Sequence, residues 1–126
     1  MPLDYAAYEA LFNTGDDEAL VERFFADGCA MISGSGTRNG KGELLAFLRW
    51  AHDGVREVMR PQQVLSTEDV LFAEVDMDFH ASKVRDDFPF GALRPGDLVT
   101  VKFFVTYRLD ADGRIFELKS MTWPPE

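Results

Sequence analysis

Residues 98–113 read LVTVKFFVTYRLDADG, and the first twelve of them alternate between two kinds of side chain. Every second residue from Val99 to Tyr107 is apolar, while the intervening positions include Thr100, Lys102 and Arg108. A period of two sorts side chains onto opposite faces only in an extended strand. Residues 110–113 then have the composition of a tight hairpin turn. The stretch predicts a strand over 98–109 and a hairpin that returns as a last strand over 114–123.

Three more segments upstream are typical of strands. Residues 72–81 repeat the alternation of apolar and polar side chains, and we expect shorter strands over 62–66 and 29–33. The turn that follows residue 66 carries Thr67, Glu68 and Asp69. In the last strand, Phe116, Leu118, Ser120 and Thr122 share one face. The second half of the chain therefore predicts a mostly antiparallel sheet.

The first half of the chain has helical spacing instead. Apolar residues from Tyr5 to Phe12 recur every three or four positions after a capping Asp4, and a second helix follows Asp16 and ends at Asp27-Gly28. The residues from Leu44 to Ala51 recur at i, i+3, i+4 and i+7, and Gly54 closes this third helix. Helices followed by a sheet give the α+β class, and we expect one domain over residues 1–126.

Composition limits the classes of function. The 126 residues hold 13 Lys and Arg against 22 Asp and Glu, a net charge of −9, which disfavours nucleic acid and acidic membranes as partners. No apolar run approaches the length of a membrane span, and residues 1–4 do not resemble a signal peptide, so we expect a cytoplasmic protein. With Cys29 as the only cysteine and two histidines in all, we expect no metal centre.

The connection from Lys83 to Asp97 is long and carries Phe88 and Phe90 among charged residues. Loops of this length are often functional or mobile. Its aromatic residues could close over a ligand as a lid, dock on a partner subunit, or pin the loop to the body of the protein.

The order of the motifs carries a family resemblance. The chain has FNTGD at 12–16, FFADG at 24–28, a glycine-rich turn with Arg38 and Gly40, and an Asp-Gly hairpin before Arg114. In this order they resemble the NTF2-like superfamily, above all its branch of ketosteroid-isomerase-like and SnoaL-like polyketide cyclase proteins. The resemblance implies a cystatin-like cone, in which a curved sheet and helices enclose an apolar pocket, and a homodimer formed through the sheet.

The resemblance also implies site residues. It places Tyr8 at the ketosteroid isomerase position whose phenol stabilises an oxyanion. It places Met31 and Val105 at the positions of that enzyme's two acids, and neither side chain can transfer a proton. Any acid–base chemistry must therefore use other residues.

The two histidines are the alternatives for proton transfer. His52, with Asp53 beside it, ends the third helix near the expected pocket mouth, although a histidine there also interacts favourably with the helix dipole. His80 lies on the polar face of its strand, which favours a solvated or subunit-facing surface unless a bulge turns it inward.

The pocket implied by the family register is almost wholly apolar, with Tyr8, Ser120 and Thr122 as polar anchors. Its expected walls are Phe12, Met31, Phe47, Trp50, Val75, Met77, Phe79, Val101, Phe103, Val105, Leu118, Ser120 and Thr122. Such a pocket suits a small hydrophobic molecule. The same side chains could also pack together and leave no cavity.

Three functions fit this sequence. The first is a cyclase, isomerase or dehydratase that acts on a hydrophobic ring substrate without metal or organic cofactor. The second is a non-catalytic binding protein for a hydrophobic ligand. The third is a protein-interaction module on the same fold, although the outer strand faces are charged and offer only Phe104 as a large apolar residue.

Overall fold

The computed structural model describes residues 2–125, which form three helices and six strands. The elements are α1 (Tyr5–Phe12), α2 (Asp17–Phe24), β1 (Phe25–Ser33), β2 (Gly36–Asn39), α3 (Gly40–Ala51), β3 (Val55–Ser66), β4 (Val70–Ala81), β5 (Leu98–Leu109) and β6 (Ile115–Trp123). The helices precede the long strands, so the predicted α+β class is confirmed.

All six strands form one sheet in the order β2-β1-β6-β5-β4-β3. Four of the five neighbouring pairs are antiparallel, and β1 with β6 is parallel. The hairpin at 110–113 forms as predicted: Asp110 N donates to Arg114 O at 2.8 Å, and Gly113 has the positive φ of 78° that the turn needs. The strand pair β5–β6, which the sequence predicts best, therefore lies in the middle of the sheet.

Helix caps and one tertiary bond pair set the positions of α1 and α2. Asp4 caps α1 and Asp16 caps α2, each accepting a backbone N–H at 3.0 Å. Asn13, just after α1, donates to Met59 O at 3.1 Å and accepts from Met59 N at 2.8 Å. The end of α1 is therefore fastened to the middle of β3.

The core lies between the helices and one face of the sheet. Along β4 every second residue from Leu71 to Ala81 is buried and the residues between them are more exposed, which confirms the period of two in the sequence. We call the buried side the inner face and the opposite, charged side the outer face. Within residues 2–125, no helix has the length and hydrophobicity of a transmembrane span.

Two sequence-based boundaries and one assignment of residues to a strand face were wrong. The second helix ends at Phe24 rather than at residues 27–28, because residues 25–33 are one strand whose pairing with β6 shifts between Phe25 and Ala30. The strand expected over 62–66 begins at Val55, directly after the turn at Gly54. In β6 a register shift opposite Arg108 and Leu109 buries Ile115 and leaves Phe116 exposed.

Candidate functional site

An apolar cavity of about 110 Å³ lies between α1, α3, the inner face of the sheet and the loop over residues 82–97. Most of the walls expected from the sequence line it: Phe12, Met31, Phe47, Met77, Phe79, Phe103, Val105, Leu118 and Ser120. Phe88 and Phe90 from the loop complete the wall. The exposed Ser35 lies at its edge, so the cavity reaches the surface at the β1–β2 turn.

Four expected wall residues lie elsewhere. Trp50 is 41% exposed and its ring packs against the Arg85 guanidinium, and Thr122 donates to Pro124 O at 3.0 Å. Val75 is fully buried in the core, and Val101 is half-buried against that core. The sequence pattern placed all four on the correct face or helix but could not show which side chains border the open space.

A cluster of three tyrosines supplies hydroxyl groups next to the cavity. Tyr8 and Tyr107 both line it, and Tyr5 OH lies 2.8 Å from Tyr107 OH. The Tyr8 ring stacks on that of Tyr5 and meets that of Tyr107 edge-on. Burial raises the pKa of Tyr8 and of Tyr107 well above that of a free phenol. Both phenols are therefore protonated at neutral pH and can act as hydrogen-bond donors.

Glu57 is the carboxylate of the cavity wall, and the sequence analysis missed it. It lies on β3 between the buried Val55 and Met59, so it takes an inward position in the alternation of that strand. Its Oε1 is 2.7 Å from His52 Nε2. Among residues 2–125, no hydrogen bond reaches Oε2. That oxygen is the atom available to a ligand.

His52 does not line the cavity, but its imidazole ring contacts the carboxyl group of Glu57. Its Nδ1 lies 2.8 and 3.0 Å from the two carboxylate oxygens of Asp17, at the start of α2. Burial alone would lower the pKa of His52, but hydrogen bonds to Asp17 and Glu57, and their charges, outweigh burial and raise it to about 9. His52 is thus an imidazolium at neutral pH, and it lies between the carboxyl groups of Asp17 and Glu57.

The other two predicted acid–base residues lie away from the cavity. Asp53 is exposed and forms an ion pair with Lys83 at 2.6 Å, so Asp17 and not Asp53 is the partner of His52. His80 is on the outer face opposite Arg56 and Leu98, and the unbroken pairing of β4 with β5 leaves no bulge to turn it inward. In the part of the chain that the structure describes, no group of three potential ligands is arranged to hold a metal ion.

Comparison with solved structures identifies the fold. A protein from Xanthomonas campestris pv. campestris, provisionally assigned as a polyketide cyclase, superposes with a TM-score of 0.77 at 23% identity, over 92% of this chain and 84% of that one. A ketosteroid-isomerase-like protein from Catenulispora acidiphila, solved with trimethylamine, gives 0.73 at 13% identity over 95% and 85%. The cyclase-like enzyme SalBIII, which has a role in pyran ring formation in salinomycin, gives 0.74 at 15% identity over 94% and 86%.

These similarities confirm the expected NTF2-like α+β cone, with its curved sheet and helices. No curated protein matches the chain significantly. The model of the SnoaL-like domain family matches residues 5–118, a segment that contains Tyr8, Asp17, His52 and Glu57. The chain therefore belongs to the SnoaL-like domain family.

Proposed function

We propose that this protein binds a small hydrophobic ring compound and catalyses a cofactor-independent isomerisation, cyclisation or dehydration of it. The observation that carries the proposal is the Glu57 carboxylate on the wall of an otherwise apolar cavity that also contains the buried Tyr8 phenol. A base and a hydrogen-bond donor beside one bound ring are the groups that proton transfer next to a carbonyl requires.

In this mechanism Glu57 Oε2 accepts a proton from a carbon or hydroxyl of the substrate. Tyr8 donates a hydrogen bond to the substrate oxygen on which negative charge develops, which lowers the barrier. The proton held on Glu57 then returns to the substrate: to another carbon in an isomerisation, to the hydroxyl oxygen that leaves as water when the C–O bond breaks in a dehydration, and, in a cyclisation, to the oxygen that becomes negatively charged when the deprotonated carbon bonds to a carbonyl carbon. The proposed steps use no metal or organic cofactor, because Glu57 transfers the proton and Tyr8 stabilises the developing charge.

His52 and Asp17 set the state of Glu57 in the proposed reaction. The imidazolium N–H donates to Oε1 and so fixes the orientation of the carboxyl group. Asp17 in turn holds the imidazolium in place and keeps it protonated. We therefore assign positioning roles to His52 and Asp17, in place of the proton shuttle that the sequence suggested for His52.

The relatives favour a cyclase among the three reactions. The family model is SnoaL-like, and SalBIII is described as having a role in pyran ring formation. In our chain, Met31 and Val105 stand where the ketosteroid isomerase resemblance expected acids, and both line the cavity. Glu57 supplies from β3 a carboxylate that those two positions lack.

A ligand screen with two variants tests the proposal. Wild type, Tyr8→Phe and Glu57→Gln are screened by thermal shift against cyclic ketones, enones and phenols, and bound compounds are then followed by NMR for conversion. We expect Glu57→Gln to bind but to lose on the order of 10²–10⁴-fold in rate. Tyr8→Phe should lose about 10²-fold. Glu117→Gln, on the outer face, is the matched control and should behave as wild type.

The results also separate the alternative functions. Binding without conversion by wild type would support a non-catalytic binding protein, which the apolar walls of the cavity also fit. Conversion by Glu57→Gln at the wild-type rate would exclude Glu57 as the base. Failure of every compound to bind would favour a protein-interaction module.

We also propose a homodimer through the outer face. Phe104 stacks on Phe72 with ring centroids 6.3 Å apart, and its register partner Met121 is 64% exposed, as is Trp123. Contiguous exposed apolar side chains are typical of interfaces. Light scattering should give the mass of two chains for wild type and the mass of one chain for Met121→Lys. A monomeric wild type would refute the dimer.

We propose a cytoplasmic location as well, in keeping with the single unpaired Cys29.

A further inference from the structure

Two phenylalanines from the loop over residues 82–97, Phe88 and Phe90, form the part of the cavity wall that the loop contributes. Phe90 contacts three other rings, with centroids 5.5 Å from Phe79, 5.8 Å from Phe88 and 5.6 Å from Phe103. Phe88 is buried and packs edge-on against Phe79 at 5.1 Å. Phe90 is only half-buried, so its ring forms the edge of the cavity and not the centre of the core.

The base of this loop is fastened to the body of the protein. Arg85 is 5% exposed and donates through Nη1 to Trp50 O at 3.0 Å and Asp53 O at 2.8 Å, at the end of α3. Its guanidinium also lies 5.0 Å from the Trp50 ring, and Arg85 pairs with Leu93 through two backbone hydrogen bonds of 2.9 Å. These contacts favour a fixed wall over a lid that opens for each ligand.

A fixed wall makes the cavity volume a limit on the ligand. An apolar cavity of about 150 Å³ holds one benzene molecule. At about 110 Å³, with some space toward the exposed turn at Ser35, this cavity has room for one six-membered ring. A second fused ring that extends toward the loop would have to displace Phe90, and inserting atoms into packed apolar space costs about 1–3 kcal/mol.

We infer that the substrate of this protein is a single-ring compound and that Phe90 is the residue that excludes fused rings. The inference rests on the proposed function and names the substrate class of the same site. A monocyclic enone would place its ring against the apolar walls, its carbonyl oxygen at the Tyr8 hydroxyl and a neighbouring C–H at Glu57, whereas a phenol would donate its O–H to Glu57. A steroid or other polycyclic scaffold would have to displace Phe90 to occupy the same position.

The test compares one-ring and two-ring ligands on wild type and on Phe90→Ala. Dissociation constants are measured by NMR titration for 2-cyclohexen-1-one and phenol and for the fused compounds 1-tetralone and 2-naphthol. We expect wild type to bind the one-ring ligands at least about tenfold more tightly than the two-ring ligands. In Phe90→Ala, the ratio of the two-ring to the one-ring dissociation constant should fall by at least about tenfold. Phe116→Ala removes an exposed ring that does not line the cavity and should leave the preference unchanged.

A second variant, Phe90→Leu, keeps an apolar side chain on the loop and provides a test even if Phe90→Ala does not fold fully. It should reduce the preference for one-ring ligands by less than Phe90→Ala does. Equal binding of one-ring and two-ring ligands by wild type would overturn the inference while the proposed function stands. So would a preference that both Phe90 variants retain. Binding of two-ring ligands alone would likewise overturn only the inference, whereas if neither one-ring nor two-ring ligands bind wild type, the proposed function fails and the inference fails with it.

Discussion

The two faces of the sheet use charge in opposite ways. On the outer face, acids and bases neutralise one another: Lys102 lies 2.7 Å from Glu74 and 3.0 Å from Asp76, and Arg60 lies 2.6 Å from Asp78. On the inner face, aromatic and aliphatic side chains line the cavity together with the carboxyl group of Glu57. The same strands therefore carry paired ions on one side and a mainly apolar cavity on the other.

The difference shows what makes a carboxylate available for chemistry. Hydrogen bonds from Arg60 and Thr100 lower the pKa of Asp78 to about 2, and both of its oxygens are occupied. Glu57 is bonded through one oxygen only, to a histidine that is itself shared with Asp17. A carboxylate that is held but not saturated, next to apolar space, can take part in proton transfer, whereas a saturated surface carboxylate contributes mainly to the fold.

The largest expected effect comes from moving an outer-face charge inward by one residue. Val75 is fully buried, and its neighbour Asp76 points outward to Lys102. Val75→Asp would bury a carboxyl group with no partner, and we expect a loss of at least about 4 kcal/mol, close to the whole stability of a small domain. Urea unfolding followed by circular dichroism measures this loss.

The reverse substitution, Asp76→Val, is the matched control. Lys102 keeps its ion pair with Glu74, so the free energy of unfolding should change little compared with Val75→Asp. Similar losses in the two variants would show that the faces are less distinct than their burial indicates.

How much of the fold the sequence revealed depended on the length of each pattern. The alternation over 72–81 and 98–109 runs for ten or more residues, and both strands were predicted nearly to their ends. The strand β1 was cut short, because Asp27-Gly28 is typical of a helix stop and in fact lies where the pairing shifts. A pairing shift depends on the neighbouring strand, which a local pattern cannot report.

The site was predicted less completely than the fold. Tyr8 came from the family resemblance, and it lines the cavity. Glu57 was missed because β3 was expected to begin at residue 62; reading Val55, Glu57 and Met59 as one alternating set would have pointed it inward. The sequence around Asp17 indicates only an acidic residue at the positive end of α2. Its contact with His52 joins residues 35 positions apart. Such a contact exists only in the folded chain.

The pH dependence of stability should distinguish His52, which contacts the cavity carboxyl group Glu57, from His80 on the outer face, although the expected effect is smaller. In the folded protein the pKa of His52 is about 9, against 6.5 for an ordinary histidine, so between these values the folded state binds more protons than the unfolded state. The stabilisation is fully present below pH 6.5 and is lost as the pH rises to about 9. Its size is on the order of 3 kcal/mol, from about 1.4 kcal/mol for each pH unit.

Urea unfolding of wild type at pH 6 and pH 9 should therefore show lower stability at pH 9. His52→Asn should remove most of this pH dependence and, because Asp17 and Glu57 would then lose the cation between them, should be destabilised even at pH 6. His80→Asn changes an exposed outer-face ring and should keep the wild-type difference between the two pH values. A wild type equally stable at pH 6 and 9 would mean that the two carboxylates do not hold His52 as an imidazolium, and the positioning role assigned to it would have to be withdrawn.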